Sequence, residues 1–110
     1  MLKHTLLKLE EKIKTSKNIP DEKKQEYYDL LSRLNDEINA LAETDPEKAE
    51  SIKKFTKVTA HEATREELNP SLLKTSLDGL YESAREFQTS HPRLVDTVND
   101  ICIFLSKLGI

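Results

Sequence analysis

The stretch that decides the fold is YYDLLSRLNDEINAL, residues 27–41, because its large apolar residues recur in steps of four and three. The residues on this stripe are Tyr27, Leu31, Leu34, Ile38 and Leu41. A mean step of about 3.5 residues puts them all on one face of a helix, which is the spacing of helices that pack as in a coiled coil. The stretch is therefore predicted to be a helix with one buried face.

Three further stretches repeat this spacing. Their stripes are Leu2, Leu6, Leu9 and Ile13; Leu73, Leu77, Leu80, Ala84 and Phe87; and Leu94, Val98, Ile101, Leu105 and Leu108. Together the four stripes predict an all-α fold, an antiparallel bundle of four to five short helices with coiled-coil-like packing of i±3 ridges into i±4 grooves.

The chain length suits a single helical domain, residues 1–110. The predicted helices lie near 2–16, 20–43, 46–66, 70–89 and 91–108. Proline fits the first turn of a helix, where its missing N–H has no partner to lose. The four prolines of the chain stand at or next to the start of the last four predicted helices: Pro20, Pro46, Pro70 and Pro92.

Polar residues beside these prolines are candidate caps. The helix near 46–66 is capped either by Thr44, with Glu47 reaching back, or by Asp45. Ser90 is predicted to cap the last helix, and Gly109 is placed to end it.

The segment from 46 to 66 has the weakest pattern. Ala49, Ile52, Phe55 and Val58 step by three, and this spacing drifts off a single helical face. The segment is predicted to be helical, without a defined buried side.

Composition excludes several classes of function. Hydrophobic residues make up 36% of the chain and charged residues 34%, yet the net charge is only −3, which indicates mixed charges on helix surfaces. The only glycines are Gly79 and Gly109. Because a phosphate-binding loop and a dinucleotide fingerprint need clustered glycines, neither can be built here.

The single cysteine, Cys102, rules out an internal disulfide and lies in an apolar run, so it is predicted to be a buried small hydrophobe. No apolar run approaches the ~20 residues of a membrane span. Lys8, Glu10 and Glu11 interrupt any signal-peptide core at the N-terminus. The expected location is therefore the cytoplasm.

The last helix carries more apolar residues than one buried face needs, with Val95, Cys102, Ile103 and Phe104 beside its stripe. This surplus predicts that the chain associates with itself, as a homodimer or larger, and acts as a non-enzymatic interaction or scaffold protein. The predicted contact residues are Leu94, Val98, Ile101, Phe104, Leu105 and Leu108.

An alternative is a module that binds a small ligand or a metal, centred on His61, Glu62 and Arg65 and including His91. No two histidines have the i, i+4 spacing of a helical metal motif, so neither a metal nor another cofactor is predicted. No spacing links a nucleophile to a base and an orienting group, and no enzymatic activity is predicted.

Nucleic acid and membrane partners fit the sequence poorly. A basic patch is present at Lys53, Lys54 and Lys57, but the chain as a whole is acidic, with a pI near 5.6, and has no tryptophan. The N-terminal helix is basic enough to lie on a membrane surface. Its regular apolar stripe is better explained by packing against another helix.

Two C-terminal motifs carry a family resemblance. FQTSHPRL at 87–94 and LSKLGI at 105–110 fit the patterns F-x-x-S-H-P-x-L and L-S-x-x-G-I. The chain thereby resembles a family of small uncharacterised bacterial proteins, domain of unknown function 4404, whose N-terminal part looks like residues 2–43. The resemblance does not extend to the segment 46–66. It implies a small helical bacterial protein and no particular activity.

Overall fold

The computed structural model describes residues 3–108, which form five α-helices and one short 3-10 helix, with no strand in that range. The expectation of an all-α bundle is confirmed. The elements are α1 (Lys3–Thr15), α2 (Asp21–Ala42), α3 (Pro46–Ala63), α4 (Pro70–Ala84), the 3-10 helix Arg85–Phe87, and α5 (Pro92–Lys107).

Four of the helices form a ring. Helix α2 packs on α3 and α5, and α4 packs on the same two helices, while α1 packs mainly against α2. The α2/α5 pair and the α3/α4 pair therefore form opposite sides of the bundle. In the α2/α5 pair, Tyr27 stacks on Phe104 and Arg33 contacts Asp100, so residue numbers rise in opposite directions and the helices are antiparallel.

The four predicted stripes supply most of the core. Among their buried members are Leu9, Ile13, Tyr27, Leu31, Leu34, Ile38, Leu41, Leu73, Leu80, Ala84, Phe87, Leu94, Val98, Ile101 and Leu105. Leu6, Leu77 and Leu108 are partly buried against this core. Leu2 lies outside the described residues.

The helix starts resolve the capping alternatives. Asp45 is the cap of α3, because its side chain accepts a hydrogen bond from the Lys48 backbone N–H at 3.1 Å. The Thr44 alternative is wrong, since that hydroxyl donates to the carbonyl of Leu41 instead. Asn69 caps α4 in the same way as Asp45 caps α3.

The prediction that Ser90 caps the last helix is also wrong. Pro92 occupies the first turn of α5, which makes His91 the capping residue, and its side chain makes no capping hydrogen bond. The hydroxyl of Ser90 lies 3.0 Å from Nδ1 of His91. Gly109 and Ile110, and with them the predicted end of this helix, lie outside the described residues.

Two helices end earlier than predicted. Helix α3 stops at Ala63 rather than near Glu66, because the side-chain amide of Asn18 donates to the carbonyls of Ala63 and Arg65 at 3.2 and 2.8 Å. Helix α4 stops at Ala84 and continues as a 3-10 turn that keeps Phe87 buried, rather than as an α-helix to residue 89.

Small and hydroxyl-bearing residues make up most of the buried face of α3. The buried face of α3 consists of Ala49, Ile52, Thr56, Thr59, Ala60, Glu62 and Ala63. The hydroxyl of Thr56 donates to the Ile52 carbonyl, and that of buried Ser76 on α4 to the Leu73 carbonyl, both at 2.8 Å. These bonds within each helix let polar side chains occupy a buried interface.

Candidate interaction surface

The six residues predicted to form a contact between chains lie inside one chain. Leu94, Val98, Ile101 and Leu105 are fully buried, Phe104 is 6% exposed and Leu108 is partly buried. Leu94, Val98, Ile101 and Leu105 therefore have no surface to offer a second chain, whereas Phe104 and Leu108 line an open groove. Helix α5 packs against both α2 and α4, so a wide arc of its surface faces the core of its own chain.

Of the apolar surplus on α5, Ile103 remains at the surface, with 52% of its area exposed, and Cys102 is partly buried. Ile103 lies in an open groove between α2 and α5 with a volume of about 680 Å³. We call this the α2/α5 groove. It is lined by Lys23, Glu26, Asp29, Leu30, Arg33, Asp100, Ile103, Phe104, Lys107 and Leu108.

The floor of the groove is apolar. The ring of Phe104 stacks on Tyr27, with ring centroids 5.4 Å apart and planes within 5° of parallel. Tyr27 is fully buried and Leu30 is 6% exposed. Phe104, one of the two stacked rings, lines the groove.

Arg33 and Asp100 bridge the groove. An Arg33 guanidinium nitrogen lies 3.3 Å from a carboxylate oxygen of Asp100 and donates to Oγ1 of Thr97 at 3.5 Å. Thr97 in turn donates to the Arg93 carbonyl at 2.8 Å. Because Arg33 and Asp100 are each about half exposed, their ion pair contributes little to stability.

A second, more polar cleft continues the groove beyond Arg33. Its volume is about 380 Å³. It is lined by Arg33, Asp36, Glu37, Arg93, Asp96 and Thr97. The groove and the cleft together run along the α2/α5 side of the bundle, with an apolar floor at one end and charged residues along the walls of both. Such a surface is suited to contacts with another protein.

The residues of the alternative ligand site are only partly brought together. Glu62 and Arg65 form an ion pair at 2.9 Å, and Glu62 is largely buried. The Arg65 carbonyl also accepts from Asn18, which ties the end of α3 to the α1–α2 connection. The side chain of His61 is exposed. This cluster fastens two parts of the fold to each other.

His91 lies at the opposite end of α3. Its ring packs edge-on against Phe87 with centroids 5.9 Å apart, and the Lys48 ammonium lies 5.7 Å from the Phe87 centroid. The Glu86 carboxylate holds the pKa of Lys48 above its ordinary value. At 1.5 Å per residue, Lys48 and His61 are roughly 20 Å apart along α3, so His91 does not join His61 in one site.

A metal site, a reactive thiol and a membrane span each require particular features of the described part of the chain. Within residues 3–108, no group of three or more His, Cys, Asp or Glu side chains converges as a metal site would require. Burial, and secondarily the charge of Asp78, raise the pKa of the Cys102 thiol. A thiol with a raised pKa stays protonated at neutral pH and is a poor nucleophile. No helix of the described segment is long and apolar enough to cross a bilayer.

The charged residues of the groove could have been found in the sequence. On α2, Lys23, Glu26, Leu30, Arg33 and Glu37 step by three and four. On α5, Asp96, Asp100, Ile103 and Lys107 do the same. These polar stripes have the period of the buried stripes but lie on the next face of each helix, so a search restricted to apolar residues overlooks them.

Comparison with known families agrees with the C-terminal motifs. The family model described as Domain of unknown function (DUF4404) matches residues 2–110. The chain belongs to this family. The match includes residues 46–66, which corrects the expectation that this segment falls outside the resemblance. No curated protein and no solved structure matches the chain.

Proposed function

We propose that this DUF4404 protein is a non-enzymatic interaction protein that associates with itself and uses the α2/α5 groove as its contact surface. The observation that carries the proposal is Ile103, a large apolar residue 52% exposed above a floor of buried aromatic and aliphatic side chains. An exposed apolar residue in a groove between charged rims is typical of protein contact sites.

The charges of the groove support a contact between copies. Its lining contains three basic residues, Lys23, Arg33 and Lys107, and three acidic ones, Glu26, Asp29 and Asp100. Because the signs balance, a second copy meets no net repulsion at this surface, and opposite charges can pair across it.

Two further parts of the proposal rest on the placement of polar groups. The scattering of His61, His91 and Cys102 over different parts of the bundle favours binding over catalysis. A single, partly buried thiol suits a reducing compartment, and we place the protein in the bacterial cytoplasm on that basis.

Sedimentation equilibrium over a range of protein concentrations tests the proposal. We expect the wild-type chain to associate at high micromolar concentration and Ile103→Glu to sediment as a monomer, because the change places a charge in the contact. Leu7→Glu is the matched control, since Leu7 is equally exposed, at 51%, but lies on α1. A wild-type chain that stays monomeric at high micromolar concentration would contradict the proposal.

A further inference from the structure

The side of the bundle opposite the groove also exposes large apolar residues. On α3, Phe55 is 39% and Val58 48% exposed, and on α4 Leu72 is 45% exposed. Val58 follows Phe55 by one helical turn. Leu72 shares a face of α4 with Gly79, which Phe55 contacts, two turns further along. We call Phe55, Val58 and Leu72 the α3/α4 ridge.

The ridge lies over the contact between α3 and α4. These two helices pack closely against each other, with Gly79 at the seam between them. The ring of Phe55 lies on top of this seam, in the space that a side chain on Gly79 would fill. The bundle therefore presents a ridge on one side and an open groove on the other.

Basic residues without an ion-pair partner among residues 3–108 lie beside the ridge. Lys54 and Lys57 flank the ridge, and neither forms an ion pair with another residue of the described chain. On the α4 side, Lys74 pairs with Asp78 at 3.1 Å, so their charges cancel. The ridge is left with a surplus of positive charge.

The charges of the groove itself balance, and the cleft that continues it carries a surplus of negative charge. Their acidic lining residues are Glu26, Asp29, Asp36, Glu37, Asp96 and Asp100, and their basic ones Lys23, Arg33, Arg93 and Lys107. The lysines beside the ridge and the acidic cleft beside the groove carry opposite charge surpluses, which favour association of the two surfaces and set its orientation.

We infer that the α3/α4 ridge of one copy docks into the α2/α5 groove of a second copy. The inference rests on the proposed self-association and names the surface that occupies the groove. The molecule measures 37 × 27 × 20 Å. One of its long sides is comparable in size to the ~800 Å² per partner of a standard protein interface. Because ridge and groove lie on opposite sides, every bound copy keeps one free docking surface, and the assembly grows as a chain or closes into a ring.

Complementation between two variants tests this inference. Val58→Glu damages the ridge and leaves the groove intact, whereas Ile103→Glu damages the groove and leaves the ridge intact. Each variant alone is expected to be monomeric by light scattering after size exclusion. An equimolar mixture is expected to form a species of two chains and nothing larger, because one intact groove meets one intact ridge.

Three controls make the result decisive. Circular dichroism should show wild-type helicity for both variants, since both positions are about half exposed. Leu72→Glu is a second ridge variant and should replace Val58→Glu in the mixture with the same outcome. Leu7→Glu should keep the wild-type assembly.

The outcomes separate the inference from the proposed function. If Val58→Glu and Leu72→Glu keep the wild-type assembly while Ile103→Glu loses it, the groove binds another groove across a two-fold axis, which overturns the inference alone. A mixture of folded variants that stays monomeric also overturns it. A monomeric wild-type chain overturns the inference and the proposed function together.

Discussion

The α2/α5 and α3/α4 halves of the bundle are held together by different kinds of residue. Between α2 and α5 the buried residues are large, and two aromatic rings, Tyr27 and Phe104, stack on each other. The buried residues of α3 and α4 include small and hydroxyl-bearing ones such as Thr56 and Ser76 beside large aliphatic ones. The outer side of the α2/α5 pair carries an open groove, whereas on the α3/α4 pair the Phe55 ring is partly exposed and lies against Gly79.

Large and small buried residues also stabilise the fold in different ways. Burial of a large aliphatic or aromatic side chain contributes about 1.5–3 kcal/mol. Threonine, serine and glycine bury less apolar area, and they stabilise the pair mainly by letting the helices approach closely. We therefore expect truncations to cost more in the α2/α5 half.

The largest expected effect is a truncation in the α2/α5 half. Leu105→Ala should lower the free energy of unfolding by about 2–5 kcal/mol, because Leu105 is fully buried and its removal leaves a cavity. The counterpart Thr56→Ala, equally buried in α3, should cost about 1 kcal/mol, since fewer atoms are removed. Urea unfolding of both variants measures the difference. Equal costs would show that the two halves contribute alike.

The packing of the Phe55 ring on Gly79 can be tested by mutating both residues. In the wild-type chain, Gly79→Ala forces the Phe55 ring to move, because the new Cβ would overlap it. In a Phe55→Ala background the same change should stabilise the protein by about 0.5–1 kcal/mol, the usual gain of alanine over glycine inside a helix. A double-mutant cycle in urea should give a coupling free energy of about 0.5–3 kcal/mol. Additive effects would mean that the ring does not rest on Gly79.

Two buried threonines of α3 differ in whether their hydroxyl groups are hydrogen-bonded. The hydroxyl of Thr59 is buried and finds no hydrogen-bond partner within residues 3–108, whereas that of Thr56 donates to the Ile52 carbonyl. Thr59→Val should raise the free energy of unfolding by about 1 kcal/mol, because it removes an unpaired buried polar group. Thr56→Val is the control and should bring no gain. Thermal unfolding that ranks the two variants in the opposite order would refute this account.

The smallest effect at neutral pH concerns the aromatic stack. Burial, and secondarily the charge of Cys102, raise the pKa of the Tyr27 hydroxyl well above its ordinary value of 10.0. An unfolded tyrosine loses its proton near pH 10 while the folded one keeps it, so this contribution to stability is complete below pH 10 and is lost as the pH rises further. Tyr27→Phe should unfold less readily than the wild-type chain above pH 10. Parallel pH dependences of the two proteins would contradict the burial of this hydroxyl.

Much of the fold can be predicted because its signals are local. The Tyr27–Leu41 stripe places a buried face on α2, and Pro46 and Pro70 mark where helices begin. The buried face of α3 could not be predicted in the same way. Its threonines resemble surface residues, and their hydroxyls bond to their own helix only once it is helical and buried.

The residues of the candidate site could be predicted from the sequence only in part. The apolar surplus of α5 predicts a contact between chains, because a single helix does not reveal how many neighbours it has within its own chain. Contacts with both α2 and α4 bury Phe104 and leave Ile103 exposed. Residue spacing places the two side chains on neighbouring faces, and packing decides which of them stays in solvent.

By itself, the sequence determined the helices, their main buried faces and the family, since each depends on residues near one another along the chain. The tertiary structure decided which faces meet. It placed the Phe55 ring of α3 against Gly79 of α4, and it stacked Phe104 of α5 on Tyr27 of α2 at the edge of an open groove. The shape of a surface depends on the sizes of side chains from two helices at once, and no single stretch of sequence contains both.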